Sequence, residues 1–345
     1  MRIAFYDSKP YDEKSFNSRN TEGHKFTFFK TRLNERTARL AAGYEVICAF
    51  VNDEISREVA GILYEGGVRL IVLRSAGYNN VDLKAVYGRI HVLRVPSYSP
   101  HAVAEHTAAL LLSLNRNIHR AYYRTRDNNF SIDGFLGFDL NGKTAGVVGT
   151  GKIGRILIKI LHGFGMNILA YDGWPDGGFA AKYDVKYVDL DELYTKSDII
   201  SLHCPLTPET QHMINAESIG KMKDDVMLIN TGRGQLIDTT ALIEALKAGH
   251  IGSAGLDVYE EEGEYFFEDF SSSMVEDDVL ARLLTFNNVL VTSHQAFFTK
   301  EALSNIADTT LKNVSAWVNN ENLENEICYR CDKDNCRKKE KGRCF

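Results

Sequence analysis

From Lys143 to Ser293 short β-rich runs alternate with helical patterns, and no other feature of the 345 residues constrains the fold as tightly. The runs are TAGVVG (144–149), NILAY (167–171), DIISLH (198–203), VMLIN (226–230), GSAGLDV (252–258) and NVLVTS (288–293). Helical patterns lie between several of them, clearest in TTALIEALKAG, with Asp238 placed to cap a helix and Gly249 to stop it. Alternation of this kind predicts an α/β fold, a doubly wound parallel sheet covered by helices on both faces.

The first hundred residues alternate more loosely, with RIAFY, EVICAF and RLIVLRS reading as strands. In VPSYSPHAVAEHTAALLLSLNRNIHRAYYR, Ser99 can cap a helix and Pro100 fits its first turn. The apolar run that follows reads as a buried helix leading into a second domain, and a last helix is expected over 300–318. The length suits two domains. The expected division is a discontinuous smaller domain of residues 1–99 and 300–326, the sheet domain at 100–299, and a separate tail at 327–345. Net charge is −6 and the basic residues are scattered until the tail, so a nucleic-acid partner is not expected. No apolar run approaches the roughly 18–20 residues that span a bilayer, and MRIAFYD reads as a first strand, not a signal peptide. A cytoplasmic protein without a membrane partner is expected.

Gly149-Thr150-Gly151-Lys152-Ile153-Gly154 spells GxGxxG directly after a predicted strand and at the start of a predicted helix. Alone the pattern is weak; its setting is what counts. The first glycine makes the tight turn, the second admits a pyrophosphate, and the third lets helix and strand pack. The helix N-terminus faces the phosphate charge. Asp172 ends the next strand, where a carboxylate accepts from both ribose hydroxyls and repels a 2′-phosphate. NAD is therefore the expected cofactor, in preference to NADP.

Three later segments carry reactive groups to strand ends. NTGRGQLID places Arg233 between two glycines, LDVYEEEGE places acids just past a strand, and SHQAF places His294 at the end of the last one. Ligands of open α/β sheets bind beyond the carboxyl ends of the strands. Reducing a 2-keto acid needs a cation for the carboxylate and a proton for the carbonyl oxygen. Arginine's planar fork suits the first, and a histidine held by a carboxylate suits the second. An acidic loop is ordinarily solvated surface and many histidines are structural, so the specificity lies in the ordered set after GxGxxG and Asp172.

These residues resemble the D-isomer-specific 2-hydroxyacid dehydrogenases, most closely the D-lactate branch. The resemblance runs to about Glu326 through RSAGYNNVDL, RVPSYSPHAVAEH, GKTAGVVGTGKIG, SLHCPLTPET, LINTGRGQLID, GLDVYEEEGEYFFED and SHQAFFTKEAL. It implies a Rossmann NAD domain inserted in a smaller flavodoxin-like substrate domain. It implies Arg233 as carboxylate binder, Glu262 as the orienting acid and His294 as proton donor. The backbone amides of Ala76 and Gly77 would meet the substrate carboxylate, and Tyr98 would border the substrate. His203, Cys204, Pro205, Thr231 and Asp257 fall where the family meets NAD. Gly263 stands where many members have proline, and the loop continues in an acidic insertion. The implied reaction is reduction of pyruvate to D-lactate by a homo-oligomer, dimer or tetramer. Alternatives are the same chemistry on a larger 2-keto acid, of 2-hydroxyisocaproate or phenyllactate type, and a dinucleotide-sensing binding protein like the family's corepressor relatives.

The tail CYRCDKDNCRKKEKGRCF has no counterpart in that pattern. Its four cysteines read first as reduced thiols on a solvated, flexible extension, so no metal is assigned. Zinc or iron–sulfur ligation and redox-controlled disulfides are the other readings.

Overall fold

Aliphatic runs of the first hundred residues pair into one parallel sheet. Its strands are β1 (Arg2–Phe5), β2 (Lys25–Phe28), β3 (Val46–Ala49), β4 (Leu70–Leu73) and β5 (His91–Leu93), in the order β2-β1-β3-β4-β5. That is the flavodoxin-like order. The four residues of β3 and the four of β4 are all buried, as a strand covered on both faces requires. The helix Lys300–Val318 packs on β4 and against the helix Pro10–Arg19. The computed structural model describes residues 1–331 and 336–345. Its contacts divide the chain into Met1–Ser99 with Phe298–Phe345, and Pro100–Phe297.

Two expectations about the first unit change. Phe298, Thr299 and the tail group with it, whereas the sheet domain was expected to run to residue 299 and the tail to stand apart. The tail is also not a solvated extension. Ile327 N donates to Val92 O (2.9 Å), Glu326 bridges antiparallel to Leu93, and Cys328 and Cys344 are buried. Glu326 holds it there: Oε1 lies 2.5 Å from His91 Nδ1, and Oε2 accepts from Cys344 N at 2.6 Å. Residues 332–335 of the tail lie outside the described residues.

The second unit carries seven strands, β6 (Thr144–Val148), β7 (Asn167–Tyr171), β8 (Val185–Tyr187), β9 (Ile199–Leu202), β10 (Val226–Asn230), β11 (Ile251–Leu256) and β12 (Val289–Val291). All pairs are parallel, in the order β12-β11-β10-β9-β6-β7-β8. The chain runs outward from β6 to β8, then returns to build the other half from β9, so the direction reverses between β6 and β9. Period-two alternation feeds both faces. Leu228 joins the core under the helix Thr239–Ala248, while Met227 and Ile229 join the core formed with Leu110, Leu111 and Leu157. The helix Pro100–Asn115 is consumed by this second core, packing against the helix Lys152–Gly163 and on β10 and β11. Asp238 Oδ1 accepts from Ala241 N (3.0 Å) and Gly249 ends that helix at φ +76°, as their residue types predict. Among the described residues no helix is long and apolar enough to cross a membrane.

Candidate active site

The GxGxxG turn leaves β6 at the reversal point and opens the helix Lys152–Gly163, with Gly151 as its N-cap. Gly149 has φ +96°, and a Cβ there would meet Cys204 N at 2.6 Å. A Cβ on Gly154 would lie 2.0 Å from Gly149 O, so helix and strand close only on glycine. A Cβ on Gly151 would meet nothing within 4 Å, and the first-turn N–H groups of the helix lack intrahelical acceptors. Backbone donors and open approach together fit a dinucleotide pyrophosphate.

Asp172 stands just past β7 and fits the ribose position. Its Oδ2 accepts from Thr150 N (2.6 Å) and Thr150 Oγ1 (2.9 Å), and Oδ1 accepts from Trp174 N (2.9 Å). Burial opposes its charge, but these donors and the Arg155 guanidinium outweigh it and hold the carboxyl below its usual range. Thr150 Oγ1 also meets Tyr187 Oη at 2.9 Å. The segment His203–Cys204–Pro205 follows β9 and leans on the Gly149 turn. Burial pushes His203 down to about 4 and Cys204 up to about 11, so the imidazole and the thiol are both neutral near pH 7. His203 Nε2 meets Ser201 Oγ at 2.9 Å.

Arg233, Glu262 and His294 follow β10, β11 and β12, three strands that lie side by side. Asn230 shapes the Arg233 turn: its Oδ1 accepts from Gly232 N (3.0 Å) and its Nδ2 donates to Arg233 O (2.8 Å). Gly234 passes so close to the next loop that a Cβ would lie 2.1 Å from the carbonyl of Tyr259. Arg233 is partly buried and its Nη1 donates to Gly232 O at 2.8 Å. Of the three consecutive acids, Glu260 is occupied by His212 (2.6 Å) and Thr239 N (2.8 Å), and Glu261 is exposed. Glu262 is the one that reaches His294, with Oε1 2.7 Å from Nδ1, while Oε2 accepts from Tyr259 N at 3.0 Å. With Nδ1 so engaged, Nε2 is the nitrogen left to exchange a proton.

The histidine sits at φ +51°, a left-handed conformation uncommon for a residue with a Cβ, and neighbouring groups hold it there. Asp257 is one of them. Its backbone O accepts from His294 N (2.7 Å), and its wholly buried carboxylate accepts from Thr292 Oγ1 (2.5 Å), Gln295 N and Ala296 N (2.9 Å each). Behind it stands His106, with Nε2 3.0 Å from Thr292 Oγ1 and 3.4 Å from Asp257 Oδ1. Thr107 Oγ1 meets Thr231 Oγ1 at 2.9 Å. His106, Thr107 and Thr292 carry only a weak signal in the sequence, a His-Thr pair directly before the apolar run AALLL. Ala76, Gly77 and Tyr98 lie in the first unit: Ala76 O accepts from Arg94 Nη1 (2.7 Å), Gly77 O from Ser75 Oγ (2.8 Å) and Tyr98 O from Asn305 Nδ2 (2.6 Å).

Together, fold and site define a dinucleotide-binding α/β protein with an arginine and a carboxylate-held histidine at adjacent strand ends. Residues 108–296 match the family described as D-isomer specific 2-hydroxyacid dehydrogenase, NAD binding domain. A 2-hydroxyacid dehydrogenase homolog of Haemophilus influenzae is 54% identical over 91% of this chain and 95% of its own. The D-lactate dehydrogenase of Escherichia coli is 51% identical over 95% of this chain and 100% of its own, and its apo structure superposes with a TM-score of 0.87. The structure described as the pyruvate reductase of Chlamydomonas reinhardtii is 44% identical, with a TM-score of 0.89 over 94% of this chain and 98% of that one. The chain belongs to the D-isomer-specific 2-hydroxyacid dehydrogenases, and it is an NAD-dependent oxidoreductase.

Proposed function

We propose that this dehydrogenase interconverts pyruvate and D-lactate. The observation that carries the reading is the 2.7 Å His294–Glu262 pair at a strand end beside that of Arg233. Bound NADH supplies the hydride. Arg233 grips the substrate carboxylate with its planar fork, aided by the amides of Ala76 and Gly77, and Tyr98 borders the substrate. His294, as the imidazolium, gives its Nε2 proton to the carbonyl oxygen; Glu262 keeps Nδ1–H aligned and offsets the charge. The cofactor rests on the 149–154 turn and Asp172, with residues 203–205, Thr231 and Asp257 beside it. Pyruvate is chosen because relatives about half identical carry the names D-lactate dehydrogenase and pyruvate reductase.

A panel of 2-keto acids with NADH tests this. Pyruvate should give the highest kcat/KM; a larger acid in first place would replace it, and no turnover on any would favour a dinucleotide sensor. The enzyme is further proposed to work in the cytoplasm, consistent with six unbonded cysteines, and as a homo-oligomer. Ile118, Tyr122, Tyr123, Phe130, Ile132 and Leu136 are each more than half exposed in one stretch of the second unit, an apolar surface that a second copy would cover. Light scattering that returns a monomer at micromolar concentration would overturn the assembly.

A further inference from the structure

Cys328–Phe345 carries its cysteines at C-x2-C-x4-C-x7-C, and the fold brings all four sulfurs together. Sγ separations are 3.8 Å for Cys328–Cys331, 4.0 Å for Cys328–Cys336, 3.9 Å for Cys331–Cys344 and 3.8 Å for Cys336–Cys344. All six pairs fall within 4.8 Å. None is a disulfide, whose sulfurs lie only about 2.05 Å apart. A regular tetrahedron with a metal–sulfur bond of about 2.3 Å has edges of about 3.8 Å, the spacing found here. An iron–sulfur cluster would interpose its inorganic core and push the sulfurs further apart.

Two further observations point to a cation at the centre. Backbone N–H groups are aimed at sulfur, Cys328 N at Cys331 Sγ (3.2 Å) and Arg330 N at Cys328 Sγ (3.4 Å), the outer-shell bonds that support thiolates on a metal. The segment also has no apolar core of its own, since Tyr329 and Phe345 are its only large hydrophobic side chains. A loop of this length that nonetheless buries Cys328 and Cys344 needs a staple. Four thiolates around a divalent ion leave a net charge of −2, which seven basic against three acidic residues in the segment offset.

We propose that Cys328, Cys331, Cys336 and Cys344 bind one zinc ion as a tetrahedral four-thiolate site that fastens the chain's end over the open β5 edge of the first sheet. The clasp is already laid out. Phe345 stacks on His91 of β5 (centroids 4.3 Å apart, planes 5° apart), and Tyr87 packs edge-on against both Tyr329 and Phe345. Leu323 N donates to Gly342 O (2.8 Å), and Lys338 Nζ donates to Glu326 O (2.8 Å). An unpaired strand edge is an aggregation hazard that folds cover, and the knotted tail covers this one.

Metal analysis of the full-length protein, purified under reducing conditions, decides the matter. About one zinc per chain should survive dialysis, with the four tail cysteines protected from a thiol reagent until an organomercurial releases the ion. Cobalt(II) in its place should show the visible absorption of a tetrahedral thiolate complex. The double variant Cys331→Ser/Cys336→Ser should lose the metal, and its melting temperature should ignore a chelator that lowers that of the parent. A folded, reduced protein that neither retains nor takes up zinc, or four freely reactive tail thiols, would overturn the site. Two or more irons with acid-labile sulfide would overturn it in favour of a cluster, and a single iron without sulfide would overturn the choice of zinc.

Discussion

His294 is held in a left-handed backbone conformation, and that placement suits the proton-donor role proposed for it. The turn of Asp257, Thr292, Gln295 and Ala296 fixes its backbone, and Glu262 fixes its ring. General acid catalysis is typically worth about 10²–10⁴ in rate, so His294→Ala should lower kcat by that range while NADH binding, read by fluorescence titration, stays near normal. Glu262→Gln removes the charge that orients the ring and offsets the imidazolium, so kcat for pyruvate reduction should fall about ten-fold or more while KM changes little; an unchanged kcat would take Glu262 out of that role. Arg233→Lys keeps the charge but loses the fork, and should raise KM for pyruvate with a smaller loss of kcat. An equal loss on an aldehyde without a carboxylate would contradict a carboxylate grip. His203 supplies a stability test. Its folded pKa, about 4, lies below the ordinary 6.5, so its contribution is complete above pH 6.5 and is lost as pH falls toward 4. Thermal unfolding followed across that window should fall steadily, and less so in His203→Gln.

At the scale of elements, the reactive groups owe their neighbourhood to strand order. Arg233, Glu262 and His294 are up to 61 positions apart in the chain, yet β10, β11 and β12 are adjacent and parallel, so their carboxyl ends present all three at one edge. Asp172 belongs to the other half of the sheet, after β7, where the GxGxxG turn reaches it through Thr150. NADH should therefore be preferred to NADPH, and Asp172→Ser should narrow the ratio of their kcat/KM values; equal use by the parent enzyme would show the carboxylate is not at the ribose. The buried strands β3, β4, β6, β7 and β9–β11 were legible as β-rich or aliphatic runs. The strands not anticipated, β2, β5 and β8, are all sheet edges of three or four residues with mixed polarity. An edge strand is covered on fewer sides, so its residues need not be uniformly apolar and the hydrophobic signal fades.

For the whole molecule, removing the tail is expected to affect stability and leave catalysis in place. Cutting after Glu326 removes Cys344 N from its carboxylate and uncovers β5, but touches neither the trio nor the dinucleotide turn. Pyruvate turnover at 25 °C should stay largely intact while the melting temperature falls by a few degrees. Loss of turnover in a truncated protein that remains folded would place the tail in the working enzyme.

The sequence by itself determined the parallel α/β architecture and the dinucleotide turn with its acidic partner, and it set an arginine, an acidic run and a histidine just past successive strands. These are written in periodicity and short spacings, which local chemistry dictates. Only the tertiary structure decided which of three neighbouring acids meets the histidine, that Asp257 and His106 stand behind it, and that four tail cysteines converge. Such facts depend on where loops from separate strands come to rest, and that is set by packing between segments far apart in the chain.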